Sequence, residues 1–204
     1  MTFLLPLKLM DRNWDYDVPY YYEQVIDQKE CNDICSWKDV EYCLNMPQFF
    51  DINVVSKHAI QKIDPPKYPR SWAAHPWEEK ADLFQLFKEG HTFIINNYSF
   101  RSEKVMGMLD QWSSIFSGDS QFQIYCGKGK SNSFYIHEDL PNNFIVQLKG
   151  ETHWRVFNER RATFVAQADP GDAQVDYDNF TPAIDVVLKA GDALYIPPRC
   201  YHQA

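Results

Sequence analysis

Cysteine is scarce and odd in number: Cys31, Cys35, Cys43, Cys126 and Cys200. None stand in CxxC spacing, and five thiols close no disulfide framework, so buried idle thiols in a reducing, cytoplasmic setting are expected. Cys31 and Cys35 are four apart and could share a helix face, with the idle reading the plainer one. No long apolar run is present. Pro6 and Lys8 interrupt "MTFLLPLKLMDRNW", so neither a signal peptide nor a membrane span is expected there. Positive charge is also in deficit. Twenty Lys and Arg against 28 Asp and Glu leave a net charge of −8, which disfavours nonspecific binding to nucleic acid or to an anionic membrane. The small basic pairs Lys128/Lys130 and Arg160/Arg161 are expected to be solvated turn charges. No repeat or low-complexity segment interrupts the chain.

What remains is a chain rich in core-forming residues. With 204 residues, 45% hydrophobic and 16% aromatic, it suits one domain or a domain with an extension. Residues 1–35, with "DYDVPYYYEQVIDQKE" at their centre, predict an irregular arm with one helical turn, packed over the body or lining a substrate groove. "SWKDVEYCLN" predicts a helix with Ser36 as N-cap and Asp39 in the capping-box position. A short strand is expected around Ile52–Val55. Pro65, Pro66, Pro69 and Pro76 force a loop over 64–78. Helices follow at 78–90, stopped by Gly90, and at 101–116, where Val105, Met108, Leu109, Trp112 and Phe116 keep helical spacing. A β-rich run at 91–98 lies between them.

From Gln121 short β-rich runs alternate with turns: 121–126, 133–139, 143–150, 152–158, 162–167, 183–192 and 193–198. This texture predicts a β-sandwich or small barrel. Residues 1–204 are therefore taken as one domain, with an arm and helices over 1–90 and a β core over 91–204.

The chemistry-bearing stretch is "SFYIHEDLPNNFIVQLKGETHW". With six histidines and 28 acids in 204 residues, chance supplies roughly 0.8 of a His-x-Asp/Glu match, so His137-Glu138-Asp139 decides nothing alone. On a strand, however, His137 and Asp139 point to one face. His202 follows "AGDALYIPPRCY", where the Pro197-Pro198 corner fixes its direction. Two histidines and one carboxylate make a facial triad suited to non-haem Fe(II).

In order along the chain, "GHTFIINNY", "FQIYCG", "HEDLPNNFIVQLKGETHWRVF" and "LKAGDALYIPPRCYH" resemble successive segments of the JmjC/cupin 2-oxoglutarate oxygenases, in particular their ribosomal-oxygenase branch. The resemblance implies a mainly β double-stranded β-helix (jelly roll) with N-terminal helices. It implies that His137, Asp139 and His202 hold Fe(II), that 2-oxoglutarate is the co-substrate, and that a protein or peptide residue, on a ribosomal protein by resemblance, is hydroxylated. It puts Asn143 and Thr152 near the co-substrate; Tyr125 and Lys130 could reach there from the preceding strand. Thr152 stands where relatives carry a Lys or Arg that pairs with the far carboxylate of 2-oxoglutarate, and Phe134 where several carry Ser or Thr. Relatives also continue past the second histidine into a last core strand, expected to be missing here. The open sheet edge would favour self-association. Two other readings stay open: a metal-binding pseudoenzyme or scaffold of the same fold, and a metal cupin that does not use 2-oxoglutarate.

Overall fold

The computed structural model describes residues 14–56, 59–62, 85–116, 118–129, 134–161 and 176–204. The chain divides into two compact units, one spanning 35–133 and the other joining the N-terminal segment up to Ile34 to 134–204.

In the first unit, α2 (Trp37–Leu44) starts at the predicted cap. The Ser36 Oγ accepts from Asp39 N–H at 3.4 Å, and the Ser36 N–H donates to the Asp39 carboxylate at 2.8 Å. Arg101 ties the same carboxylate to the 3₁₀ turn Tyr98–Arg101 at 2.6 Å. After α3 (Pro47–Phe50), β2 (Ile52–Ser56), β3 (Ala59–Lys62), β4 (Thr92–Ile95) and β5 (Ile124–Cys126) form an antiparallel sheet in the order β3-β2-β4-β5. The expected strand at Ile52–Val55 is thus present. Residues 85–88 are helical and Gly90, at φ +92°, stops them as predicted; the Pro-rich loop at 64–78 and the residues up to 84 lie outside the described residues. Helix α4 (Glu103–Phe116) buries Val105, Met108 and Trp112, the centre of the predicted apolar stripe.

The second unit contains β1 (Tyr20–Tyr22), α1 (Gln28–Ile34), β6 (His137–Glu138), β7 (Asn143–Val146), β8 (Glu151–Arg160), β9 (Pro182–Lys189), β10 (Ala193–Ile196) and β11 (Cys200–Gln203). They make two antiparallel sheets, β1-β10-β7 and β6-β11-β8-β9. The inner faces share one core: Val156, Leu188, Leu194, Ile196 and Cys200, with Ile145, Trp154, Ile184 and Val186 packed against it. Strand β9 shows why. Ile184, Val186 and Leu188 alternate inward while Asp185, Val187 and Lys189 face solvent. Each fully buried Leu or Ile stabilises this core by about 1.5–3 kcal/mol. Two inward-packed antiparallel sheets are the jelly-roll architecture the sequence implied.

The N-terminal arm is more ordered than expected. Tyr20–Tyr22 pair with Tyr195–Ala193 and extend a sheet, and the arm's Trp14 packs its ring, tilted, against that of Tyr195 with centroids 4.6 Å apart. Local sequence did not show this, because the partner strand lies about 170 residues on. The β9–β10 turn anchors the arm. Gly191 sits at φ +103°, and a Cβ there would stand 2.5 Å from the Ile26 carbonyl oxygen. Strand β11 is a second addition, since 199–204 was not expected to form a strand. The predicted strand at 162–167 lies outside the described residues. The pair Arg160/Arg161 is corrected: Arg160 pairs with Asp17, and Arg161 makes an ion pair with Glu138 in which both side chains are about nine-tenths buried (11% and 10% exposed). All five cysteines are free and buried. No helix among the described residues is long and apolar enough to cross a membrane.

Candidate metal centre

Strand β6 has two residues, and its placement sets the site. It pairs antiparallel with β11, so that His137 lies directly opposite His202 and Glu138 opposite Tyr201. Directly opposed residues project to the same face, and the two imidazole centroids are 4.4 Å apart. Asp139, two residues beyond His137, returns to that face. One donor atom from each of His137, Asp139 and His202 lies within 4.8 Å of the others. The sequence-predicted triad is brought together.

Hydrogen bonding aims the donors. The Nδ1 of His137 lies 2.8 Å from the Tyr135 carbonyl oxygen, and the Nδ1 of His202 lies 2.9 Å from the Cys200 carbonyl oxygen. A carbonyl only accepts, so each Nδ1 carries the proton and each Nε2 is left as the ligand atom. Across the cluster, His202 Nε2 faces Asp139 Oδ2 at 3.5 Å, a pair of electron-rich atoms that calls for a cation between them. The Asn143 Nδ2 donates to the same Asp139 Oδ2 at 2.7 Å and fixes the carboxylate's rotation. Burial, and after it the neighbouring His202, pushes the His137 pKa down, which favours the neutral imidazole a metal needs. The neighbouring His202 holds the Asp139 carboxyl below its ordinary range against the upward push of burial, and the Asn143 hydrogen bond adds to it. His202 is 3% exposed, whereas the Asp139 side chain is 44% exposed, so the cluster opens to solvent on the carboxylate side. Two neutral imidazoles and a carboxylate, converging with their ligand atoms free, fit a divalent metal of the Fe(II) type.

A bracket not visible in the sequence supports β6. The Arg199 N–H donates to the Asp139 carbonyl at 2.6 Å, and Arg199 Nη1 donates to the Arg161 carbonyl at 2.9 Å. Arg161 N–H donates in turn to the Arg199 carbonyl at 3.0 Å, while its side chain holds Glu138. Arg199 occupies the left-handed region at φ +65°, an unfavourable position for a non-glycine residue that the hydrogen bonds on both its sides enforce. Glu138, read only as the middle of a triplet, thus locks the strand carrying His137 and Asp139. Two adjacent arginines gave no signal of this, because their partner lies 23 residues away.

The remaining predicted residues separate. On β8 the side chains of Thr152, Trp154 and Val156 alternate to the inner face, and Val156 is the register partner of His202. Trp154 lies beside the centre, its ring centroid 6.1 Å from that of His202. His153 and Arg155 take the other face, bonding to Asp185 and Gln203. Phe134 packs its ring 5.5 Å from that of His137. Tyr125 is on β5 of the first unit, 58% exposed, with its hydroxyl 3.3 Å from Gln123 Oε1. Lys130 lies outside the described residues.

Comparison with known proteins agrees with this geometry. Residues 96–204 match the family model described as "JmjC domain". Ribosomal oxygenase 1 of Danio rerio is 26% identical over 200 residues, covering 97% of this chain and 33% of that protein. The bifunctional lysine-specific demethylase and histidyl-hydroxylase NO66 of Aedes aegypti is 24% identical over 205 residues, covering 98% of this chain and 28% of that protein. This chain therefore spans about a third of the length of these relatives. The solved structure of the Escherichia coli ribosomal oxygenase YcfD in complex with cobalt and 2-oxoglutarate superposes with a TM-score of 0.59 at 20% identity, covering 97% of this chain and 46% of that one. At that identity the superposition supports the fold.

Proposed function

The chain belongs to the JmjC domain family, and from that premise we propose that it is an Fe(II)- and 2-oxoglutarate-dependent oxygenase that hydroxylates a residue of a protein or peptide. The observation that carries this reading is the convergence of His137, Asp139 and His202, with both Nε2 atoms freed by backbone carbonyls. The names of the relatives support it: ribosomal oxygenase, and demethylase with histidyl-hydroxylase. When bound, Fe(II) and 2-oxoglutarate supply O₂-dependent decarboxylation to succinate coupled to hydroxylation of a substrate C–H bond.

The chain's own residues divide the remaining work. His137, Asp139 and His202 are the metal ligands. Asn143 orients Asp139 through its hydrogen bond to the carboxylate. Glu138, Arg161 and Arg199 hold β6 against β11, so the ligands keep their spacing during turnover. The apolar core beneath, from Val156 to Leu194, excludes water from the inner side. A net charge of −8 suits a basic peptide substrate such as a ribosomal protein segment. Residues 1–204 are read as one JmjC-type domain, since the family match runs through both compact units.

Thr152 favours a second reading, a metal-binding protein of this fold that does not turn over 2-oxoglutarate, because the inner face of β8 carries a hydroxyl rather than a cation. Incubation with Fe(II), 2-oxoglutarate, O₂ and basic peptides separates the two. The first reading expects succinate release coupled to a peptide mass gain of one oxygen, both lost in His202→Ala. Equal release by the variant would remove His202 from the reaction and overturn the first reading's metal site, whereas none by the parent chain while metal still binds would leave the second.

A further inference from the structure

The carboxylate ligand and the residue that orients it are the two ends of one turn. Asp139 leaves β6, Leu140, Pro141 and Asn142 follow, and Asn143 opens β7, where it pairs with Ile196 of β10. The bond from Asn143 Nδ2 to Asp139 Oδ2 closes the turn on itself. The short stretch 195–199 holds both ends from outside. At one end the Arg199 N–H donates to the Asp139 carbonyl. At the other the Tyr195 hydroxyl lies 2.7 Å from Asn142 Oδ1. Tyr195 is fully buried, and its hydroxyl also lies 2.7 Å from the Tyr16 carbonyl oxygen of the N-terminal arm. Arm, strand and turn thus meet at one oxygen. The ring beneath it is fixed independently, packed on Phe144 at 4.7 Å and on Trp14 at 4.6 Å between centroids. Asn142 is itself exposed, so without the hydroxyl its amide turns to water and the turn is released.

We propose that Tyr195 is a positioning residue of the metal centre: its hydroxyl, through Asn142, fixes the turn that carries Asp139 and Asn143, and the Tyr16 carbonyl of the arm aims that hydroxyl. This rests on the metal-site part of the reading above and not on the choice of co-substrate. Asp139 lies just beyond β6 and its side chain is 44% exposed, so packing alone does not fix it and the bonds of the turn must. A ligand on a loose turn has to be ordered at each binding event, and that lost entropy appears as lost metal affinity. The arm carries no ligand, yet through Tyr16 and Tyr195 it belongs to the site.

The test uses the full chain and Co(II), read by anaerobic titration and by the visible d–d spectrum, which reports ligand geometry. Tyr195→Phe keeps the ring and removes the hydroxyl. Its Co(II) dissociation constant should rise about tenfold, the low end of what losing a ligand-positioning group costs, and its d–d band should shift in the same sense as that of Asn143→Ala. Asn142→Ala removes the partner, leaves Tyr195 in place, and should do the same. Adding Tyr195→Phe to Asn143→Ala should change the affinity by less than Tyr195→Phe does alone, because both act through one bond. Ile34 is a buried residue of α1, outside the turn. Ile34→Ala should lower the melting temperature and leave the Co(II) constant and band where they are. Unchanged affinity and spectrum in both Tyr195→Phe and Asn142→Ala, full additivity with Asn143→Ala, or the same shift in Ile34→Ala would overturn the proposal and leave the metal centre standing. A parent chain that binds no Co(II) would overturn the metal centre and the proposal together.

Discussion

Replacing Glu138 or Arg161 singly should weaken both the fold and the metal centre, and more than the two replacements together would suggest. Both side chains are about 10% exposed, so either partner left alone is a buried, uncompensated charge. Removing one partner of such a pair typically costs about 3–5 kcal/mol, whereas exchanging both for apolar residues of similar volume is often neutral. The consequence here is local as well as global. Strand β6 is two residues long, is an edge strand, and carries His137 itself with Asp139 one step beyond. Arg161→Met should therefore lower unfolding stability in urea by about 3–5 kcal/mol. It should also raise the Co(II) dissociation constant by about 10–100-fold, the usual effect of losing a group that positions metal ligands. The double variant Glu138→Leu/Arg161→Met should recover most of the stability. If Arg161→Met stays within about 1 kcal/mol of the parent chain, as an exposed pair would, the buried bracket is not what holds β6.

Two further outcomes follow from the same geometry. Asn143→Ala frees the Asp139 carboxylate and should raise the Co(II) dissociation constant by about 10–100-fold by calorimetry, with a smaller change in melting temperature. Acidification should destabilise the metal-free protein in two stages. The folded pKa of His137 is depressed below 6.5 and that of Asp139 below 3.8, so in both cases the unfolded chain binds protons first. The stability each contributes is present above its unfolded value and is lost as pH falls through the folded one. The melting temperature should hold above about pH 7, fall as pH drops below about 6.5, and fall again near pH 4. His137→Gln should remove the first fall and keep the second.

Much of the centre was legible because strand periodicity is a strong local rule. A two-residue spacing puts His137 and Asp139 on one face, and the same rule separates Thr152 from His153 and Arg155, as observed. The Ser36/Asp39 cap and the stripe on α4 were equally local. Contacts distant in sequence were not legible. The pairing of Tyr20–Tyr22 with β10 and the bracket from Arg161 to Glu138 and Arg199 depend on partners 23 to about 170 residues apart. No short-range pattern distinguishes a bracketing arginine pair from a solvated one.

The central claim is that three side chains form one metal site, and metal titration of the full chain tests it most directly. Anaerobic Co(II) titration should give one bound ion per chain with a visible d–d spectrum, and His137→Ala, Asp139→Ala and His202→Ala should each abolish it while the far-ultraviolet circular dichroism is retained. Undiminished Co(II) binding in all three folded variants would contradict the account.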